Sequence, residues 1–268
     1  MNLETSIPEG RRRLSAVIRA AGDIIHIADA EHALCVSRSD ATKLLSRWRG
    51  QGWLRRVGPG AYAPVGLDSL DSEHVLDDPW VLVPALFKPA YIGGRTAAEH
   101  WDLTEQIFRD IVVMTARTVR AKNQQSHGTH FTLKHVRQDM IFGTKTVWRG
   151  RSRIAVSDVH RTIIDMLDDP DLGAGIQHVA DCLATYFERK DRDDDKLIAY
   201  ADRVGNGAVF KRLGFLAERG PNTTTLVEAC RARLTKGNAK LDPRLSCRRL
   251  ISRWRLLMSE NWAKVAST

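Results

Sequence analysis

The sequence predicts an α+β protein in which an N-terminal winged helix-turn-helix precedes a mixed α/β domain with a helical C-terminal half. Three short helical segments and a hairpin occupy residues 11–64. Strand-like segments occur over about 80–156, namely at residues 91–92, 107–115, 131–136, 140–148 and 153–156, and helical periodicity occurs over 157–268. We therefore expect two domains, a DNA-binding domain over residues 1–70 and a larger domain over 71–268, joined by a polar linker near 66–78.

The N-terminal domain is predicted from apolar periodicity and turn residues. Helices are expected over 11–21 and 24–34, and Ser37 is the expected N-cap of a third helix. Gly58-Pro59-Gly60 separates two strand-like segments and is typical of a tight hairpin turn. The inward-facing residues of the third helix are expected to be Ala41, Leu44, Leu45 and Trp48.

This layout predicts an interaction with double-stranded DNA. The third helix carries small polar and cationic residues that suit a major groove, and the hairpin adds cations for phosphates and glycines that allow close approach. Two alternatives remain open: the cations solvate an exposed helix face, or the module docks a protein. The expected DNA-contacting residues are Ser37, Arg38, Ser39, Thr42, Lys43, Arg47, Arg55, Arg56, Gly58 and Gly60.

The distribution of charge agrees with a polyanionic partner. The chain has a net charge of +9, and its 43% hydrophobic and 27% charged residues are typical of a globular protein. Residues 10–64 carry +6 and residues 230–268 carry +8, whereas residues 65–229 carry −3. Two cationic segments on a near-neutral body are typical of proteins that displace counterions from phosphates.

The basic C-terminal segment forms a possible second cationic surface. A helix is predicted from Cys247 to Met258 on its apolar spacing. The segment is either a solvated surface or a contact for phosphate, RNA or a partner protein. The cations concerned are Arg248, Arg249, Arg253 and Arg255.

Three segments resemble a known protein family. They are SRSDATKLLSRWRGQGWLRRVGPGAYAP, then YIGGRTAAEHWDLTEQIFRDIVVMT, then VSDVHRTIIDMLDDPDLGAGIQHVADCL. Together, over roughly residues 15–190, they resemble the AbiEi-like antitoxins of bacterial AbiE-type (type IV) toxin-antitoxin systems of phage defence. The resemblance implies a repressor that binds repeats in the promoter of its own operon. It also implies a larger domain that helps to counter a toxin of nucleotidyltransferase type, with direct contact left open.

Two enzyme motifs are incomplete, so no catalytic activity is expected. Gly93-Gly94 followed by Asp110 resembles a nucleotidyltransferase site, but Val112 stands where the second metal-binding carboxylate is needed. Pro170-Asp171 followed by Glu188 and Lys190 matches a nuclease pattern. The helical period of residues 176–189 would turn Glu188 and Lys190 apart. A DNA-targeted nuclease with a winged-helix domain remains the enzyme alternative.

No metal, cofactor or membrane is expected. The four cysteines, Cys35, Cys182, Cys230 and Cys247, form no C-x-x-C pair, and the histidines form no paired ligand motif. The N-terminal residues lack the apolar core of a secretion signal, and the apolar runs are far shorter than the roughly 20 residues of a membrane-spanning helix. We expect a cytoplasmic protein with reduced thiols.

Overall fold

The computed structural model describes residues 8–65 and 78–267 and has a mixed α+β fold. The predicted domain boundary at residue 70, and nearly all of the predicted linker, lie outside the described residues. The helices are α1 (Glu9–Ala20), α2 (Ile27–Leu34), α3 (Arg38–Gly50), α4 (Leu82–Phe87), α5 (Gly94–His100), α6 (Val159–Asp168), α7 (Ile176–Phe187), α8 (Asp194–Val204), α9 (Gly207–Ala217), α10 (Thr224–Ala232) and α11 (Glu260–Ser267). The strands are β1 (Ile25–His26), β2 (Leu54–Gly58), β3 (Ala61–Pro64), β4 (Ala90–Ile92), β5 (Asp110–Thr115), β6 (Asn123–Ser126), β7 (Thr129–His135), β8 (Thr144–Arg149), β9 (Ser152–Ser157), β10 (Ala239–Lys240), β11 (Arg249–Ile251) and β12 (Leu256–Met258).

Helices α1, α2 and α3 pack with a small antiparallel sheet of order β1-β3-β2. The predicted cap of α3 is confirmed, because the hydroxyl of Ser37 accepts a hydrogen bond from the Asp40 backbone N–H at 3.1 Å. The predicted start of the second helix at Ile24 is wrong. Ile25 and His26 instead pair with β3, so their backbone groups are used in a sheet and α2 begins at Ile27.

The body contains a six-stranded mixed sheet of order β6-β7-β5-β4-β9-β8. Strands at the predicted segments near residues 91, 131–136 and 153–156 are confirmed, whereas the strand predicted over 140–148 begins only at Thr144, after a 3-10 helix at Gln138–Met140. The strand predicted from Ile107 begins only at Asp110, and the Ile107 side chain is 84% exposed. Strand β6 was not predicted because Asn-Gln-Gln-Ser has no apolar alternation.

One face of this sheet shares a core with the N-terminal unit. Ile92 and Val113 of the sheet lie in the same buried cluster as Leu82 of α4 and as Val57 and Ala63 of the β2–β3 hairpin. The hairpin therefore packs on the body, while a second buried cluster, with Leu45 and Trp48 at its centre, belongs to the N-terminal unit alone.

The opposite face of the sheet covers a buried polar network. The Arg161 Nε–H donates to Asp165 at 2.8 Å, and the Tyr91 hydroxyl donates to the same carboxylate at 3.1 Å. A Cβ atom on Gly93 would lie 3.0 Å from the Asp165 carboxylate, so any larger residue would require this carboxylate to shift by a few tenths of an ångström. Burial raises the pKa of Asp165 to about 6, although the positive charge of Arg161 opposes this shift.

The C-terminal part is helical from α6 to α10, as predicted, but the helix predicted from Cys247 to Met258 is wrong. This segment forms β11, a 3-10 turn and β12, which join β10 in a three-stranded sheet of order β10-β12-β11. Leu256 and Met258 are buried on either side of the less buried Leu257, which is the two-residue period of a strand. Across the described residues, every helix is too short or too polar to cross a membrane.

Candidate nucleic-acid interface

The outward face of α3 collects most of the residues that the sequence assigned to DNA contact. Ala41, Leu45 and Trp48 are buried against the N-terminal unit, so the helix presents its other side to solvent. The exposed residues on that side are Arg38, Ser39, Thr42, Lys43 and Arg47. A helix with this composition on its free face has the shape and charge to enter a major groove.

The cations of α3 are held only loosely. Arg38 lies 3.7 Å from Glu31 and its side chain is 72% exposed. Lys43 lies 3.7 Å from Asp40 and its side chain is 75% exposed. Exposed pairs of this kind contribute about 0–1 kcal/mol, so a phosphate or a base edge can replace the carboxylate partners.

Two hydroxyl groups at the start of α3 serve the helix itself. The Ser37 hydroxyl caps the helix and donates to the Asp40 carboxylate at 2.8 Å. The Thr42 hydroxyl donates to the carbonyl of Arg38 at 2.7 Å. Both residues lie on the exposed end of α3, but their first role is to fix the helix that carries the cations.

The β2–β3 hairpin offers one exposed edge and one covered edge. Arg56 is exposed, and its Nε–H donates to the carbonyl of Gly58 at 3.2 Å, whereas Arg55 is half-buried. On the covered edge the Val57 carbonyl lies 2.8 Å from Nε2 of His127, which comes from the β6–β7 turn. The hairpin therefore has one solvent-exposed side and another that rests on the body.

The glycines of the hairpin have intramolecular reasons to be glycine. Gly60 adopts a φ of +69°, which favours glycine, and it lies close to Ile27. A Cβ atom on Gly58 would lie 3.3 Å from the Leu86 side chain on α4. Sequence reasoning assigned both glycines to close approach of DNA and missed the contact with α4, which joins residues distant in the chain.

The second basic surface is more dispersed than expected. Because residues 247–258 do not form the predicted helix, the cations of this segment do not share one helix face. Arg248 and Arg249 are exposed at the start of β11. Arg253 pairs with Glu218 at 2.9 Å, and Arg255 donates to the carbonyl of Thr235 at 3.4 Å.

The carboxylates of the two enzyme motifs either form ion pairs with neighbouring side chains or lie in different clefts. Burial would raise the pKa of Asp110, but hydrogen bonds from Thr132 and Arg95 outweigh it and lower that pKa. Asp171 pairs with Lys122 and Arg244, and Glu188 lines a different cleft at the end of α7. Within residues 8–65 and 78–267, no group of three His, Cys, Asp or Glu side chains is placed to hold a metal ion.

Comparisons with known proteins show the fold alone. No protein-family model matches the chain, and no curated protein matches it. Among solved structures, the chain is similar to the crystal structure of the RV2827C protein from Mycobacterium tuberculosis, with a TM-score of 0.63 and 13% identity. The match covers 98% of this chain and 96% of the other, so the two proteins share one architecture over nearly their whole lengths.

Proposed function

We propose that this protein is a sequence-specific DNA-binding transcriptional regulator in which residues 8–65 act as a winged helix-turn-helix. The observation that carries the proposal is the free face of α3, where Arg38, Lys43 and Arg47 are all exposed, and the hairpin adds the exposed Arg56. In this function α3 lies in the major groove, and Arg56 at the wing contacts phosphate or the adjacent minor groove.

The family resemblance extends this proposal to an autorepressor with an antitoxin role. The protein would bind repeats in the promoter of its own operon, and the body would help to counter a nucleotidyltransferase-like toxin. This part rests on the three segments quoted above, two of which form β4, α5, β5 and α6 to α7 of the body. The proposal includes no catalytic step for this chain.

Fluorescence anisotropy with the full-length protein tests DNA binding. The probe is a labelled duplex of the DNA upstream of the gene, and the control is a shuffled duplex of equal length. We expect tighter binding to the upstream duplex and a fall in affinity as salt rises from 50 to 200 mM, as expected when about six to ten phosphate contacts form. Weak binding of equal affinity to both duplexes would contradict sequence-specific DNA binding and favour a protein-docking module.

Two further assays separate the remaining alternatives. Incubation with plasmid and Mg²⁺ tests the nuclease alternative, and intact plasmid is the expected result. Co-expression with the neighbouring gene tests the antitoxin role if that gene encodes a nucleotidyltransferase-like protein. Rescue of growth supports the role, whereas unchanged toxicity leaves only the regulator.

A further inference from the structure

A polar cleft lies at the β6 edge of the six-stranded sheet, in the body of the protein. Its volume is about 610 Å³, within the roughly 300–1,000 Å³ of small-molecule sites. Strands β5 and β7 contribute Asp110 and Thr132, and Arg95 of α5 and Asp171 complete the inner wall. The DNA-binding face of α3 contributes no residue to this cleft.

The inner cations of the cleft are paired with carboxylates. Arg95 pairs with Asp110, donates to the carbonyl of Asp171 at 3.1 Å and stacks 5.5 Å from the centroid of the Phe108 ring. Its side chain is only 13% exposed. Lys122 pairs with Asp171, and this hydrogen bond lowers the pKa of the Asp171 carboxyl. Both carboxylates are therefore ionised and already serve as acceptors, which holds the cations in position.

The outer part of the cleft carries donors that have no partner. Gln125, His130 and Asp110 are aligned across three neighbouring strands, so their Cα atoms lie in one row across the sheet. Arg109 immediately precedes this row and is exposed at the cleft. Among the residues that the structure describes, Arg109, Gln125 and His130 make no side-chain hydrogen bond or ion pair.

The charged residues that line the cleft are three cations and two carboxylates, and the two carboxylates pair with Arg95 and Lys122, so the charge of Arg109 is left without a carboxylate partner. An anion with several oxygen atoms fits this balance. The planar guanidinium group of Arg109 can donate two parallel hydrogen bonds to a phosphate group.

We propose that this cleft binds a phosphate-bearing small molecule of up to nucleotide size. Arg109 and His130 contact the phosphate directly, while Arg95 and Lys122, each paired with a carboxylate, form the inner wall. No residue of α3 lines this site, so its occupancy can be tested separately from the proposed DNA binding.

Isothermal titration calorimetry of the full-length protein tests the site with pyrophosphate and with ATP as separate probes. We expect saturable binding of at least one probe. In the Arg109→Gln/His130→Gln double variant its affinity should fall by about tenfold or more, since hydrogen bonds to charged groups are lost. Both side chains are exposed, so circular dichroism should show an unchanged fold. The matched control is Arg137→Gln, which removes one exposed cation outside the cleft and should leave the affinity unchanged.

The outcomes are distinguishable from those of the DNA assay. A Lys43→Ala variant should retain wild-type affinity for the phosphate probe, and the cleft double variant should retain wild-type affinity for DNA. Absence of heat with both probes at millimolar concentration would overturn the proposal, as would equal binding by wild type and the cleft variant. Loss of phosphate binding in Lys43→Ala would place the anion at α3 and also overturn it.

Discussion

Individual side chains on α3 differ in what they contribute to the helix. Ser37 and Thr42 bond within the helix, whereas Arg38 and Lys43 lie on its exposed face in weak ion pairs. Removal of the cations should therefore change binding without changing the fold, while removal of the cap should affect the helix.

We predict that Arg38→Ala and Lys43→Ala each weaken binding to the protein's own upstream DNA by about 1–3 kcal/mol if they contact base edges. Fluorescence anisotropy measures the affinity, and thermal unfolding should remain close to wild type. Arg137→Gln serves as the control, because Arg137 is an exposed cation in the body. Wild-type DNA affinity in both α3 variants would show that another element reads the DNA.

The buried Asp165 predicts a pH dependence of stability. Its pKa is about 6 in the folded protein against an ordinary value of 3.8, so the folded state binds the proton more tightly than the unfolded state. Its contribution to stability is therefore fully present below about pH 4 and is lost as pH rises through about 6. Besides Arg161 and Tyr91, the nearby Lys134 and Asp168 also influence this carboxyl.

The measurement compares wild type with Asp165→Asn by urea unfolding between pH 4 and 7.5. We compare the free energy of unfolding of the wild type with that of the variant, in which asparagine does not titrate. The difference, wild type minus variant, should decrease as pH rises to about 6 and then level off. If this difference in free energy increased with pH instead, Arg161 would keep the pKa of Asp165 in the folded protein below its ordinary value.

At the scale of elements, the C-terminal sheet depends on close packing against α9. Trp254 lies in the 3-10 turn between β11 and β12 and is fully buried. A Cβ atom added to Gly214 would lie only 2.1 Å from the Trp254 ring. Gly214 is in the middle of α9, where glycine lowers helix stability, so its presence is explained by this ring.

We predict that Gly214→Ala destabilises the protein by about 3 kcal/mol, the upper end of the overpacking range, because the indole ring must move. Gly50→Ala is the matched control. Gly50 is the last residue of α3, and a Cβ atom there would meet nothing within 4 Å. Thermal unfolding of the two variants should differ clearly, and equal melting temperatures would contradict this account of the Trp254 packing.

At the scale of the molecule, the N-terminal unit is attached to the body by specific contacts. The Asp23 carboxylate accepts hydrogen bonds from the Arg151 backbone N–H at 3.0 Å and from the Ser152 hydroxyl at 2.9 Å. Val57 and Ala63 of the hairpin lie in the core shared with the sheet. The unit also has its own buried cluster, so the stability of the unit in isolation depends on how much the shared core contributes to that stability.

A fragment of residues 1–70 is expected to bind DNA more weakly than the full-length protein and to lose any antitoxin function. It retains α3 but exposes the apolar side of the hairpin and loses contacts made by the body. Anisotropy at several salt concentrations measures the difference, since each lost phosphate contact lowers the slope of log K against log salt by about 0.9. Rescue of cells from the toxin by the fragment alone would show that the body is not needed for neutralisation.

The salt dependence also tests the C-terminal cations. Arg248, Arg249 and Arg253 are all exposed, but Arg253 is paired with Glu218. If Arg248 and Arg249 contact DNA, the Arg248→Ala/Arg249→Ala variant should have a smaller slope of log K against log salt than the wild type, closer to the slope of the fragment. An unchanged slope would assign the surface to another role.

The sequence by itself determined the elements whose signals lie within a few neighbouring residues. The Ser37 cap, the apolar face of α3 and helices α6 to α10 were predicted because their periodicity and capping are local. Features that join distant residues appear in the folded molecule alone: Val57 with His127, Arg95 with Asp110, and Gly214 with Trp254. The same reason explains the error at residues 247–258, where the spacing of apolar residues matched a helix. Burial of Trp254 and pairing of β12 with β10 and β11 stabilised strands instead, since partners far along the chain outweigh weak local propensity.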